Sequence, residues 1–133
     1  MAEQRRPWWM TGVAIFCMAA LAVQIPSDLF VAGARDTEVW GGFEVHGLAA
    51  MLTAPIHWAL FATGAWAFWT MRPWAPMAAA WYAFYVGVCH VVWSVTSPHG
   101  RGLQIGTLQA IVFAIAGILL LRAGSTLVAE ART

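Results

Sequence analysis

Histidines are the residues of this chain best able to do chemistry, and two of them, His57 and His90, lie inside long apolar segments. Histidine titrates near neutral pH and often serves as a general acid or base. Ionisable side chains within a membrane span are costly to bury and usually face a cavity or a partner. The segment EVHGLAAMLTAPIHWAL, from Glu44 to Leu60, puts one carboxylate and two histidines in such surroundings. We therefore expect a polar site inside an apolar protein.

The composition is that of a membrane protein. Of the 133 residues, 61% are hydrophobic and 10% are charged, and the mean hydropathy is +0.68, far above that of an ordinary soluble domain. The net charge is +1 and the basic residues other than histidine are all arginine, spread along the chain. A nucleic-acid surface would need a basic stripe, so we expect no nucleic-acid partner. Cys17 and Cys89 lie in separate apolar segments, and we interpret both as packing residues.

Four apolar segments are long enough to cross a bilayer, which takes about 20 helical residues. They are separated by breaks rich in glycine, proline or charge. Short connections favour antiparallel neighbours, so we predict an all-α fold, a compact four-helix bundle with residues 1–133 as one transmembrane domain. The second segment is too long for one straight span, and Pro55 predicts a kink or tilt there. The four segments cover residues 9–33, 41–71, 75–96 and 103–123.

The distribution of arginines predicts the orientation. Four spans place both termini on one side of the membrane, and more arginines fall on that side than on the other. The positive-inside rule then puts both termini in the cytoplasm. We expect a multi-pass protein of a bacterial inner membrane. The cytoplasmic group is Arg5, Arg6, Arg72, Arg122 and Arg132, and the outer group is Arg35 and Arg101.

Reflection about each turn gives the relative depth of the polar residues. His57 comes out level with His90, and His90 level with Gln109. His46 and His57 are about three helical turns apart, so an unbroken helix would point both in one direction. A shallower tier lies near the outer surface, and we expect a pocket entered from that side. The shallow tier consists of Asp28, Glu44, His46, His99 and Gln104.

The predicted site follows from these tiers. Structural alternatives remain, because Asp28 and Glu44 could be solvated at span ends and the deep histidines could be a buried pair. The catalytic candidates are His46, His57, His90 and Glu44. The candidates for ligand binding are Asp28, Gln109, Trp58, Trp93, Gln24 and Thr53.

Three classes of function fit these residues. The first is a pocket for a hydrophobic, lipid-like small molecule, in which His57 and His90 act as acid and base beside tryptophan faces. The second is haem or metal ligation by histidine pairs. We expect no cofactor and no metal, because a tight turn would pack the second and third helices about 8–10 Å apart, too close for a haem, and no metal-ligand spacing is present. The third is a structural or assembly subunit, in a larger membrane complex or a homo-oligomer.

Four stretches resemble the EXPERA superfamily, which includes emopamil-binding sterol isomerases and the sigma-2 receptor. The resemblance implies four transmembrane helices around a lipid-accessible ligand pocket. The stretches are QIPSDLF at 24–30, HGLAAMLTAP at 46–55, CHVVWSVTS at 89–97 and QAIVFAIAGILLL at 109–121.

The resemblance also suggests a chemistry. His46 and His90 match acidic pocket positions of the family, and Gln109 stands in place of an asparagine. Val112 occupies the position where the isomerases carry a tryptophan. In the family, one group protonates a ring double bond and another removes a neighbouring proton. The resemblance thus implies acid–base isomerisation of a C=C bond, with Glu44 beside His46, and pure ligand binding is the alternative.

Overall fold

The chain is mostly helical, 79% of it, with one small antiparallel sheet. The computed structural model describes residues 6–130, with side chains through residue 126. The elements in chain order are α1 (Trp8–Phe30), α2 (Ala32–Arg35), β1 (Thr37–Trp40), β2 (Phe43–His46), α3 (Leu48–Trp69), α4 (Ala75–Thr96) and α5 (Gly102–Glu130).

Four helices are long and apolar enough to cross a membrane: α1, α3, α4 and the Gly102–Thr126 part of α5. Large apolar side chains such as Val23, Val88 and Leu119 are exposed along them, which suits hydrocarbon as the surrounding solvent. The length and composition of these helices confirm the prediction of a multi-pass membrane protein with four spans. The first, third and fourth spans also begin close to where we expected them.

The predicted second span, 41–71, is wrong at its start. α3 begins at Leu48, and the residues before it form a β-hairpin whose register pairs Thr37 with His46 and Trp40 with Phe43. Its turn is Gly41–Gly42, with φ of +61° and +87°, as a two-residue hairpin turn requires. α3 is helical through Pro55, the residue at which we expected a kink or tilt.

The helices pack as two antiparallel pairs, α1 with α3 and α4 with α5. Small residues let the backbones approach closely. A Cβ on Gly64 would lie 3.2 Å from the sulfur of Cys17, and one on Gly106 would lie 2.8 Å from the Cβ of Ser94. Small residues at contact positions are the usual means of packing helices in lipid, where apolar surface gains nothing by leaving the solvent.

The two pairs meet at the end of the molecule that carries the termini. A buried cluster there joins Met10 and Ala14 of α1, Ala67 and Phe68 of α3, and Ala75 of α4. Elsewhere α3 and α4 make few direct contacts, and the hairpin lies between them, with β2 touching both. The expectation that these two helices pack side by side along their length is therefore wrong.

The hairpin extends between the helices from the end of the molecule opposite the termini. The Gly41 N–H donates to the Tyr85 hydroxyl oxygen at 2.9 Å, and Gly42 lies against Cys89 and Val92. Tyr85 precedes the end of α4 by three helical turns, about 16 Å at 1.5 Å per residue. Non-helical backbone is tolerated at such depth only where protein surrounds it. The hairpin accordingly lies between α3 and α4, with Glu38 and Gly42 buried, while Gly41 and Phe43 are exposed.

Gly42→Ala should destabilise the protein more than Gly41→Ala. Both substitutions put a side chain at positive φ, at a cost of about 1–2 kcal/mol. Only the Cβ at Gly42 meets neighbours, 2.5 Å from the Cβ of Val92 and 2.8 Å from the Cys89 carbonyl oxygen, while Gly41 faces open space. The overlap should add about 1–3 kcal/mol, measured by thermal denaturation in detergent. Equal melting temperatures would contradict the inserted position of the turn.

Candidate functional site

The hairpin presents one carboxylate to each pair of helices, because successive strand residues point to opposite faces. On the face toward α3, Glu38 Oε2 lies 2.8 Å from His57 Nδ1. The Trp40 indole stacks on the same imidazole, with ring centroids 4.1 Å apart and planes within 1° of parallel. On the other face, Glu44 points toward α4. The hairpin thus places Glu38 against α3 and Glu44 against α4.

His57 is held by two contacts and keeps one nitrogen free. Its side chain is 14% exposed and that of Glu38 is 8% exposed, so the pair is largely shielded from solvent. Nδ1 is engaged by the carboxylate, while Nε2 forms no hydrogen bond within the described residues. That nitrogen is also not enclosed by protein, unlike Trp40 Nε1. It is therefore available to a bound molecule.

Glu44 fastens the second strand to α4. The Trp93 N–H donates to Oε1 at 2.8 Å, and the Ser97 hydroxyl donates to the same oxygen. His99 Nδ1 lies 3.4 Å from Oε1 and His46 Nε2 lies 3.5 Å from Oε2. The hydrogen bonds from Ser97 and Trp93 hold the pKa of the Glu44 carboxyl below its usual value, because they stabilise the ionised form.

Asp28 completes a pattern that Glu38 and Glu44 begin, in which a carboxylate accepts a hydrogen bond from an aromatic N–H. The Trp58 N–H of α3 donates to Asp28 Oδ2 of α1 at 2.8 Å. Gln24, one helical turn earlier, faces the same space as Asp28. Each of these contacts joins two elements of the fold, so the acidic groups both shape the cavities and tie their walls together.

Two adjoining cavities lie beside the hairpin. We call the first the polar cavity; it measures about 290 Å³ and its polar lining is Gln24, Asp28, Thr37, Glu38, His57 and Tyr82. We call the second the aromatic cavity; it measures about 310 Å³ and is lined by Val39, His57, Tyr82, Tyr85, Val86, Cys89, His90 and Trp93. Val39, His57 and Tyr82 border both. Volumes of this size are typical of small-molecule sites.

His57 and His90 border the same aromatic cavity, from α3 and α4. The His90 ring stacks on Phe113 of α5, with centroids 5.2 Å apart. Gln109 is half-buried, and its Oε1 is enclosed without a hydrogen-bond partner in the described part of the chain. The structure brings the two histidines to one space, and a role for either in binding or catalysis stays a prediction.

Five predicted site residues border neither cavity: His46, Glu44, Thr53, Trp58 and Gln109. His46 is in β2, its side chain is 62% exposed, and its Nδ1 is 3.4 Å from the Thr37 hydroxyl. The expected helical relation between His46 and His57 is wrong, since a strand and Gly47 separate His46 from α3. The Thr53 hydroxyl donates to a carbonyl of its own helix.

The lining or supporting residues that the sequence did not indicate include Glu38, Trp40, Tyr82 and Tyr85. The first two lie in TEVWGGFEVH, where two alternating four-residue segments flank Gly-Gly, a strong hairpin signal. The tyrosines belong to a helical stripe with the residues at 86, 89 and 93, which share one face of α4. A search for that stripe would have found the wall of the aromatic cavity.

The fold and the cavities define a class of protein: a multi-pass membrane protein in which a β-hairpin lies between two pairs of apolar helices and borders two cavities. Within the described residues, no group of three or more His, Cys, Asp or Glu side chains is arranged to hold a metal ion. No family model, curated protein or solved structure matches the chain. The function therefore has to be inferred from the site itself.

Proposed function

We propose that this protein binds a hydrophobic, lipid-like small molecule in the two adjoining cavities. The observation that carries the proposal is their meeting at His57, between the helix pairs. One cavity is lined largely by polar groups and the other by aromatic side chains, which suits a molecule with a polar end and an apolar body. An apolar ligand can enter such a site from the bilayer, in which it is already dissolved.

The cost of the polar groups supports a functional role for the site. Placing an Asp or a basic residue at the centre of a span costs about 2.5–3.5 kcal/mol in membrane insertion. Asp28 and His57 lie in spanning helices, and Glu38 is on the inserted hairpin. A role in packing alone would be served as well by apolar side chains of similar volume.

Val86→Phe should displace the ligand, whereas Val88→Phe should not. Val86 borders the aromatic cavity, so a phenyl group there would occupy ligand space. Val88 lies on the same helix with 63% of its surface exposed to the bilayer side, which makes it a matched control. Mass spectrometry of organic extracts from the purified proteins should show a small molecule enriched over bulk membrane lipid in the parent and in Val88→Phe only.

Identical extracts from all three proteins would mean that the retained lipid is annular. That result would contradict the binding site and would favour the structural or assembly role instead.

We also propose that the cavities open on the non-cytoplasmic side, with both termini in the cytoplasm. At the terminal end, the Arg6 guanidinium lies 4.1 Å from the Trp69 ring centroid and that of Arg72 lies 4.6 Å from the Trp66 ring. Such pairs suit the membrane interface, where both partners are enriched. Arg5 and Arg132, which also contribute to the charge bias, lie outside the described residues.

Arg101→Cys should react with a membrane-impermeant thiol reagent in intact bacterial cells, while Arg72→Cys should react only after permeabilisation. The two positions are at opposite ends of α4. Cys17 is buried, and Cys89, which borders the aromatic cavity, is replaced by alanine in both variants to remove its background. The reverse labelling pattern would overturn the orientation and move the cavity mouth to the cytoplasm.

A second candidate function is acid–base isomerisation of a C=C bond, as the resemblance to the EXPERA superfamily implies. The observation that favours it is the 2.8 Å contact between Glu38 and His57, with His90 in the same cavity. A carboxylate on one imidazole nitrogen orients the ring and fixes its tautomer, as in other catalytic dyads. One imidazolium would protonate an alkene carbon, and the other imidazole would take a proton from the neighbouring carbon, leaving the substrate's composition unchanged.

Isomerisation predicts hydrogen exchange at carbon. Purified protein incubated in D₂O with its retained alkene should introduce deuterium next to the double bond, as mass spectrometry would detect. His57→Ala and His90→Ala should slow the exchange by about 10²–10⁴-fold, the usual contribution of a general acid or base. His99→Ala removes an exposed histidine and should leave the rate unchanged. Retention of the ligand without exchange in the parent would restrict the function to binding.

A further inference from the structure

We propose that Glu38 holds His57 in the tautomer that accepts a hydrogen bond, so that the aromatic cavity selects a lipid carrying a hydroxyl group over the corresponding ketone. The inference rests on the proposed function, because it names the chemical class of ligand for the same site. Glu38 is then a positioning residue, and His57 is the group that touches the ligand.

Glu38 Oε2 and His57 Nδ1 lie 2.8 Å apart, within hydrogen-bonding distance. An ionised carboxylate can only accept, so the hydrogen between the two atoms belongs to Nδ1. Glu38 also borders the polar cavity, beside Gln24 and Thr37. The carboxylate therefore borders a polar space of about 290 Å³.

The Trp40 indole fixes the orientation of the His57 imidazole. Trp40 stacks on the ring at a centroid distance of 4.1 Å, so one face of the ring is covered and its plane is set by the indole. Nε2 has no hydrogen-bond partner within the described residues and is not enclosed by protein, and His57 borders the aromatic cavity. A neutral imidazole with its hydrogen on Nδ1 carries a lone pair on Nε2. The nitrogen facing the ligand is therefore an acceptor.

The residues that line the aromatic cavity limit the kind of ligand that it suits. The aromatic cavity has no aspartate, glutamate or arginine among its lining residues, so it suits an uncharged ligand. The Trp93 N–H is donated to Glu44, so it is not available to a ligand carbonyl. A ligand hydroxyl would satisfy Nε2. A ketone would leave that nitrogen unpaired, and an unmade buried hydrogen bond is costly.

The test compares two probes with one carbon skeleton, 2-dodecanol and 2-dodecanone. Binding to the detergent-solubilised full chain is followed by tryptophan fluorescence at pH 8, where histidines are ordinarily neutral. The parent should bind the alcohol about fivefold more tightly, the value of one neutral hydrogen bond. In Glu38→Gln the amide can either donate or accept, so the tautomer is no longer imposed and the ratio of the two affinities should fall toward one.

A purely structural role for Glu38 would weaken both probes equally and preserve their ratio, which would overturn the inference. Asp36→Asn is the matched control, because it removes the same charge beside the same hairpin. Asp36 pairs with Arg35, is exposed and borders neither cavity, so the preference for the alcohol should persist. Equal binding of both probes by the parent would contradict the selectivity and leave the proposed function standing. Binding of neither would contradict both.

Nitrogen-15 NMR of histidine-labelled protein tests the tautomer without any ligand. The His57 signals, assigned by their loss in His57→Ala, should show hydrogen on Nδ1 and a lone pair on Nε2 in the parent. In Glu38→Gln the signals should show a mixture of the two tautomers. Hydrogen on Nε2 in the parent would overturn the inference even if Glu38→Gln failed to fold.

Discussion

The constraint on which this structure depends is that extended backbone cannot lie within a bilayer unless protein surrounds it and its polar groups are paired. A two-stranded hairpin alone leaves the outer edges of both strands unpaired. Here the hairpin lies between two pairs of helices, and its turn donates to the Tyr85 hydroxyl. Glu38 and Glu44 anchor its two faces. The carboxylates that mark the site are thus also the groups that keep the hairpin in place.

This constraint explains why the chain retains three acidic residues near its spans. Each accepts a hydrogen bond from an aromatic N–H on a neighbouring helix or from the His57 imidazole. Bonds to a charged acceptor are stronger than those between neutral groups, at about 1.5–3 kcal/mol. Indole and imidazole donors suit this task, because they bring a large apolar surface together with one polar atom. The same set of contacts lines the cavities and stabilises the walls.

The helical framework could be predicted from the sequence because its signal is strong and local. Runs of about twenty apolar residues identify spans, and α4 was predicted with the same bounds that it has in the structure. The depth relation between His57 and His90 depends only on the short turn between their helices. Both histidines do border one cavity.

Hydropathy alone did not reveal the hairpin, because its second strand runs almost directly into the apolar helix α3. Phe43 and Val45 were therefore included in the second apolar segment, and Glu38 was left in a connecting loop. The misassignment placed His46 on a helix and hid the partner of His57. Only the alternation around Gly41 and Gly42 distinguishes the two structures. The site depends on contacts between residues far apart in the sequence, such as Glu38 with His57. A single sequence carries little information about such contacts.

The hairpin's attachment to both sides of the gap has a mechanical consequence. The two pairs of helices, α1 with α3 and α4 with α5, share a buried cluster at the end that carries the termini. That end is therefore the point about which the two pairs can rotate apart. Near the opposite end the hairpin bridges the two pairs, because Glu38 contacts α3 and Glu44 contacts α4. Because Gly47 joins the hairpin directly to α3, separating the two pairs of helices must break the hairpin's contacts with α4. The width of the gap is therefore governed by the hydrogen bonds that Gly41 and Glu44 form with the α4 side.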